Sequence, residues 1–334
     1  MKLFLSHAGV SEVNGGVEVY GSHLANVFPD LQVVDYHSLA SELGDTIFPL
    51  LREPERARLL GKYISKNYPA ADVLITNGMF CHNLQHPRQF NVCHGSYSAF
   101  AKNALSPISP DYYRLRFIYS HFEKKAARNA KAVISNSLQT QENVRTLFGL
   151  GSQVIYPPVD LDLFAPTQKE KAKRAVGWAG INALFVGRPE RAKGFDFVEF
   201  LAKSNPSVNF RCILSRPYAT NLANLEVIGA IAHSSLPIYY SAADLIVFPS
   251  RFEGFGLVVP EALACGGKVL CLNTGIASEL EDNANLYIAK PTEREVAASF
   301  GDAMAARAEK LPSKALCNFS VQEFSKRWNA VLES

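Results

Sequence analysis

The chain has 334 residues, 48% of them hydrophobic and 19% charged, with a net charge of +3. That is the make-up of a globular protein of about two domains; it argues against a disordered chain and gives no ground for nucleic acid as a partner. No apolar run nears the roughly 18 residues of a membrane span, the first residues hold too short an apolar run for a signal peptide, and six cysteines without a Cys-x-x-Cys pair suit buried free thiols, so the expected place is the cytoplasm, soluble or peripheral on the inner face of the membrane.

Leu3-Phe4-Leu5 reads as a first buried strand. Ser6-His7-Ala8-Gly9 and Asn14-Gly15-Gly16 follow, then a helix over 17–28. A strand, glycine loop and helix can cradle a phosphate, although a tight turn explains the glycines equally well. A second strand is expected at 31–35, a charged helix at 54–67 and a short buried strand at 73–76. The run Phe90-Asn91-Val92-Cys93 predicts a strand ending in the turn His94-Gly95. The C-terminal end of a parallel strand is where α/β proteins bind ligands; a single His is still more often structural.

Residues 96–112 read as a long irregular segment, leading to a helix over 111–129. From 100 to 131 seven basic residues, Lys102, Arg114, Arg116, Lys124, Lys125, Arg128 and Lys131, face only Asp111 and Glu123. Tyr112, Tyr113, Phe117, Tyr119 and Phe122 lie among them. Such a helix suits an anionic membrane surface or acceptor, or equally a solvated face with its aromatics in the core. A strand at 132–135 precedes Asn136-Ser137, which can cap a helix to 148. Tyr156-Pro157-Pro158 cannot be helical. The expected organisation is a first domain over 1–156, a second over 157–318, and a terminal helix over 319–334 crossing back to the first.

The second domain opens with a buried strand at 183–186, then Gly187-Arg188 and Lys193-Gly194. Two cations between a strand and a helix can neutralise a diphosphate; ordinary solvated charges are the plain alternative. Strands at 208–214 and 226–228 and a helix at 236–242 lead to Leu245-Ile246-Val247-Phe248, a buried strand. After a turn come Glu253-Gly254-Phe255-Gly256 and the apolar run 257–264, broken by Glu261. A helix starting near Gly256 would place Glu261 about one and a half turns inside. Its unpaired N–H groups suit a phosphate, and the two carboxylates on either side suit hydroxyls. A nucleotide sugar has that layout: sugar hydroxyls, diphosphate, ribose hydroxyls. Beyond 266, a strand at 268–271, a helix at 292–308 and an amphipathic helix at 319–332 are expected.

The stretch from Glu253 to Glu261 resembles the E-x7-E signature of retaining glycosyltransferases of family 4, which have the GT-B fold. The resemblance covers nearly all of the second domain and more thinly the first. It implies an α/β protein of two doubly wound Rossmann-like domains, their parallel sheets facing across a cleft. It implies that Glu253 contacts the donor sugar, that Gly254, Phe255, Gly256 and Leu257 meet sugar and phosphate, and that Glu261 holds the ribose. Arg188 and Lys193 match the diphosphate pair, although their spacing is one residue shorter than usual. Gly15 and Gly16 gain a diphosphate role, His94 a place near the sugar, and Ile231, in Gly229-Ala230-Ile231-Ala232, a place at the base. Pro157-Pro158 stands where Asn-Gly is commoner, and Lys268 where Pro is.

The implied activity is retaining transfer of a hexose-type sugar from a UDP- or GDP-sugar to a hydroxyl of a glycan, glycolipid or small-molecule acceptor, in surface polysaccharide or glycolipid synthesis. Glu253, Arg188, Lys193 and His94 are its candidate catalytic residues. No Asp-x-Asp metal motif is read in the sequence, and no cofactor is expected beyond the nucleotide sugar. The alternatives are a non-catalytic nucleotide-sugar-binding subunit and other sugar-nucleotide chemistry, such as epimerisation, on the same fold.

Overall fold

The computed structural model describes residues 1–6, 15–44, 48–309 and 316–333. His7, Ala8, Gly9 and Asn14 of the first glycine loop lie outside the described residues. The chain forms two compact units, Met1–Pro158 with Val321–Ser334, and Val159–Ser320.

The first unit is built on β1 (Lys2–Ser6), β2 (Leu31–Asp35), β3 (Val73–Asn77), β4 (Gln89–Cys93), β5 (Ala132–Ser135) and β6 (Gln153–Val154). They form one sheet in the order β2-β1-β3-β4-β5-β6, with every neighbouring pair parallel. Side chains alternate across the sheet. Phe4 packs with Tyr20, Leu24 and Phe90 on one face; Leu3 and Leu5 pack with Leu60 and Ile64 on the other. Burial on both faces suits the nearly unbroken apolar run of β3, and in β4 it covers even the alternating polar residues Gln89 and Asn91. The Val321–Glu333 helix belongs to this unit. Its apolar stripe Phe324, Trp328, Val331 and Leu332 is buried, and Trp328 Nε1 donates to the Tyr20 hydroxyl at 3.0 Å.

The segment expected to be irregular, 96–112, is mostly helical. Tyr97–Ala104 is a helix, with the Ser96 hydroxyl accepting from Ser98 N at its start. Three alanines favour it, and the prolines that argued for a loop, Pro107 and Pro110, come after it. The following helix runs as Pro110–Tyr113, a π-helical stretch Arg114–Tyr119, and Ser120–Asn129. Ser137 caps the next one by accepting from Thr140 N.

The second unit repeats the pattern with β7 (Asn182–Gly187), β8 (Asn209–Leu214), β9 (Leu225–Ile228), β10 (Leu245–Phe248), β11 (Val269–Leu272) and β12 (Leu286–Ala289). The order is β12-β11-β10-β7-β8-β9, again parallel throughout. The Lys169–Val176 helix and β12 carry no pattern strong enough to predict. Lys268, in the place where proline is common, is buried and donates from Nζ to the carbonyls of Ala303 and Ala306. It thereby closes the C-terminal end of the Glu293–Ala305 helix. Of the six cysteines, five are buried and Cys317 is exposed.

Candidate active site

In the second sheet, β7 and β10 are neighbours from which the chain winds outward in opposite directions. Ligands of doubly wound folds bind beyond the C-terminal ends of such a strand pair. The loop after β7 carries Arg188 and Lys193; the loop after β10 carries Glu253. Lys193 Nζ donates to Glu253 Oε1 at 2.7 Å. The sequence places these two residues on one diphosphate-and-sugar site; the structure makes them an ion pair.

Two glycines let the surrounding backbone close around Glu253. Gly194 has φ +72°, and a Cβ there would lie 1.9 Å from the Pro249 carbonyl oxygen. Gly275 has φ +59°, and its Cβ would lie 2.2 Å from the Phe255 oxygen. That oxygen accepts from Ile276 N at 2.8 Å. Side chains fasten the same turn. The Ser250 hydroxyl reaches the Ala192 carbonyl at 3.3 Å, and Thr274 Oγ1 donates to Ser250 O at 3.2 Å. Arg251 grips Asp196 through two bonds of 2.6 and 2.7 Å. The loops from β7, β10 and β11 thus form one block.

Phe255 is buried and meets the Phe319 ring edge-on at 5.7 Å. Gly256 takes φ +88°, which helical residues do not adopt. The helix therefore begins later than expected, at Val258, and spans Val258–Ala264 with Leu257 as its N-cap. Glu261 consequently sits in the first turn, not one and a half turns inside. Its side chain is 4% exposed. Oε1 lies 2.8 Å from His233 Nε2, and Oε2 accepts from the Tyr240 hydroxyl at 3.2 Å. The Glu261 carboxylate holds the His233 imidazole above its usual range, against the opposing effect of burial. His233 and Tyr240 carried no signal in the sequence beyond lying before and within the helix that precedes β10.

Arg188 is not drawn to Glu253. It is half-exposed and sits 3.6 Å from Glu190, which also meets Arg216 at 3.3 Å. Ile231 lies between β9 and the turn His233–Ser235, partly buried. The single Asp-x-Asp spelling in the chain, Asp160-Leu161-Asp162, is a turn cap. Asp160 Oδ1 accepts from the backbone of Asp162 and Leu163. Among the described residues no group of three His, Cys, Asp or Glu could hold a metal ion.

The first unit gathers its own cluster where its winding reverses, at β1 and β3. Asn77, at the end of β3, donates from Nδ2 to Leu5 O at 2.9 Å. Its Oδ1 lies 2.9 Å from His94 Nε2. The amide oxygen can only accept, so the His94 proton sits on Nε2 and Nδ1 is the acceptor. Tyr20 packs edge-on against the ring at 5.0 Å. Burial pushes the His94 imidazole down to about 4, which makes it a neutral acceptor near pH 7. Gly15 is extended and N-caps the Gly16–Val27 helix without a side-chain bond. A Cβ at Gly15 would meet Glu18 Oε2 at 3.0 Å, while Gly16 has open space around it. At the start of the helix that follows this turn, buried Glu123 accepts from Tyr97 N at 2.9 Å, its carboxyl raised to about 8 by desolvation. Asn77 and Glu123 are further residues whose place at this turn the sequence did not disclose.

Within each unit the chemistry is now explicit. The second unit offers a cation, a carboxylate and glycine backbone in contact; the first offers a neutral imidazole beside a glycine-started helix. Comparisons with known proteins give the family and the fold. The model of glycosyltransferase family 4 matches residues 15–163, and that of glycosyl transferases group 1 matches residues 168–311. The chain is 30% identical over 174 residues to D-inositol 3-phosphate glycosyltransferase of Mycobacterium tuberculosis, a match covering 46% of this chain and 36% of that protein. It therefore spans about a third of the length of the curated relatives it matches. Sucrose-phosphate synthase from Thermosynechococcus elongatus superimposes with a TM-score of 0.74 at 20% identity, over 99% of this chain and 96% of that one. Anabaena HepE, solved with UDP and glucose, gives 0.75 at 19% identity, over 100% and 99%. The fold is GT-B, and the chain belongs to glycosyltransferase family 4.

Proposed function

We propose that this chain is a retaining, metal-independent glycosyltransferase that moves a hexose-type sugar from a UDP- or GDP-sugar to a hydroxyl of a glycan, glycolipid or small-molecule acceptor. The observation that carries the reading is the Lys193–Glu253 pair at the reversal of the second sheet, held by Gly194 and Gly275. A cation fixed beside a carboxylate suits the junction between a diphosphate and a sugar. Lys193 stabilises charge developing on the departing diphosphate, with Arg188 nearby on the same loop. Glu253 accepts hydrogen bonds from sugar hydroxyls. The bond from the sugar's anomeric carbon to phosphate breaks, the acceptor oxygen attacks from the same face, and its proton leaves on a diphosphate oxygen. Same-face attack is favoured because Glu253, the carboxylate nearest the proposed sugar, is already bound to Lys193. A similar solved structure that contains UDP and glucose supports a nucleotide-sugar donor.

The test is transfer from a panel of UDP- and GDP-sugars, with and without EDTA, with the anomeric configuration of the product read by NMR. Inverted product refutes retention, and loss of activity in EDTA refutes metal independence. Donor binding without turnover on any acceptor favours a non-catalytic subunit.

A second reading concerns place. No helix among the described residues is long and apolar enough to cross a membrane. In 100–131, Tyr119 is buried, but Ile108, Tyr113 and Phe117 are exposed, and Arg116 lies over the Phe117 ring at 5.5 Å. This favours peripheral contact with an anionic leaflet on the cytoplasmic side. Flotation with anionic liposomes should recover the protein at low salt and not at high salt; equal recovery on neutral liposomes refutes the contact.

A further inference from the structure

His94 is held by two contacts within the first unit. Asn77 Oδ1 accepts from its Nε2 at 2.9 Å, but one hydrogen bond leaves an imidazole free to tilt about it. The second restraint is the Tyr20 ring, which meets the imidazole at 5.0 Å and 85°. Tyr20 is fully buried and lies about one turn inside the Gly16–Val27 helix. Its own position is set by the end of the chain. Phe324 meets the Tyr20 ring edge-on at 5.2 Å, and Trp328 meets it at 6.4 Å. Trp328 Nε1 donates to the Tyr20 hydroxyl at 3.0 Å, across 308 residues of sequence. An indole N–H only donates, so the tyrosine oxygen is the acceptor. Burial keeps that hydroxyl protonated, its pKa well above the usual phenol range. Apolar packing is non-directional; this bond is what fixes where the tip of the Tyr20 ring lies.

We propose that Trp328 is a positioning residue for the His94 imidazole, acting through the Tyr20 hydroxyl, so that the terminal helix sets the alignment of a group that serves sugar transfer. The proposal goes beyond the reading above and rests on its transfer activity and on His94 taking part in it. Trp328, Tyr20 and His94 all belong to the first unit, whereas Lys193, Glu253 and Glu261 belong to the second. Loss of the bond should therefore disturb turnover and leave the affinity for nucleoside diphosphate level. Turnover is steep in geometry: reacting groups must be held within about 0.5 Å, and a misplacement of about 1 Å can cost about 10²-fold. A neutral acceptor such as His94 Nδ1 acts by the direction of its lone pair, so a tilt of the ring is enough to weaken it.

The variants are Trp328→Phe, Tyr20→Phe and the two combined, with His94→Gln as reference. Each is read by thermal melt, by kcat with the donor found in the panel above, by calorimetry with UDP and GDP, and by NMR of labelled histidines, where His94 is the resonance missing from His94→Gln. Trp328→Phe and Tyr20→Phe each leave a buried polar group without its partner, so both should lower Tm; the combined variant removes both groups and should recover part of that loss. kcat should fall about tenfold in each single variant and stay low in the combined one, because the bond is absent from all three. The His94 resonance should shift in all three, and diphosphate affinity should match the wild type. If kcat recovers in step with Tm in the combined variant, or stays level in the single ones, Trp328 is a core residue only and the proposal is overturned. A His94 resonance that Trp328→Phe leaves in place overturns it whether or not transfer is detected. If His94→Gln transfers sugar like the wild type, the role of His94 itself fails, and there is nothing for Trp328 to position.

Discussion

Changing Glu253 to Gln keeps the shape of the side chain and removes its charge. That charge faces Lys193 at 2.7 Å, with side chains only 11% and 23% exposed. Coulomb attraction at this distance is about 6 kcal/mol at an effective dielectric constant of about 20. Desolvation of both groups offsets most of it. What remains is comparable to a charge-assisted hydrogen bond, about 1.5–3 kcal/mol. A loss of about 2 kcal/mol in a unit of this size lowers Tm by roughly 4–8 °C. The ligand effect is more telling. With Glu253 beside the sugar and away from the diphosphate, the sequence predicts that free nucleoside diphosphate binds Glu253→Gln nearly as before. The ion pair changes that expectation, because diphosphate must compete with Glu253 for the Lys193 ammonium. Nucleoside diphosphate should therefore bind Glu253→Gln severalfold more tightly, about 1 kcal/mol, while the added affinity of the intact sugar nucleotide shrinks and transfer falls steeply. Calorimetry with diphosphate and donor on both proteins measures this. Diphosphate affinity that stays level, or that falls in step with donor affinity, refutes the competition.

Gly194→Ala should cost about 2 kcal/mol or more, because its Cβ would land 1.9 Å from a backbone oxygen at φ +72°; a melt within about 1 kcal/mol of wild type would show that the turn yields easily. Lys193→Ala should lower turnover on the order of 10²–10³-fold, and Arg188→Ala less, since Arg188 is 45% exposed and paired with Glu190; equal kcat losses would place both on the leaving group. His94, with its pKa lowered to about 4 in the fold, contributes stability that is complete above its unfolded pKa near 6.5 and declines as pH falls toward 4, on the order of 3 kcal/mol in all. In urea titrations at about pH 5 and 7, His94→Gln should remove that part of the acid destabilisation, and an unchanged difference between the two midpoints would refute it.

The strands were legible because a strand covered by helices on both faces reads as a short, almost unbroken apolar run. Leu3-Phe4-Leu5 and Leu245-Ile246-Val247-Phe248 are of that kind, and both are buried throughout. Glu261 stood out for a related reason, as a carboxylate inside an apolar run, and Glu253 by its place in the glycine turn eight residues earlier. Tyr97–Ala104 did not, because the prolines beyond it dominated the reading of its segment; β12 did not, because four residues with two half-buried side chains give too little pattern.

What the sequence by itself determined was the class of elements, the alternation of strand and helix, and the identity of the chemically loaded side chains. What only the tertiary structure decided was which of them meet. Lys193 and Glu253 lie 60 residues apart and touch because β7 and β10 are neighbours, an order that local periodicity does not encode. The same holds for His233 with Glu261 and for His94 with Asn77. Gly194 and Gly275 are plain glycines in the sequence; their necessity comes from carbonyl oxygens of distant loops occupying the space a side chain would need. Hydrophobic patterning acts between near neighbours in the chain, whereas the site is made by crossovers that bring distant loops to one edge of a sheet.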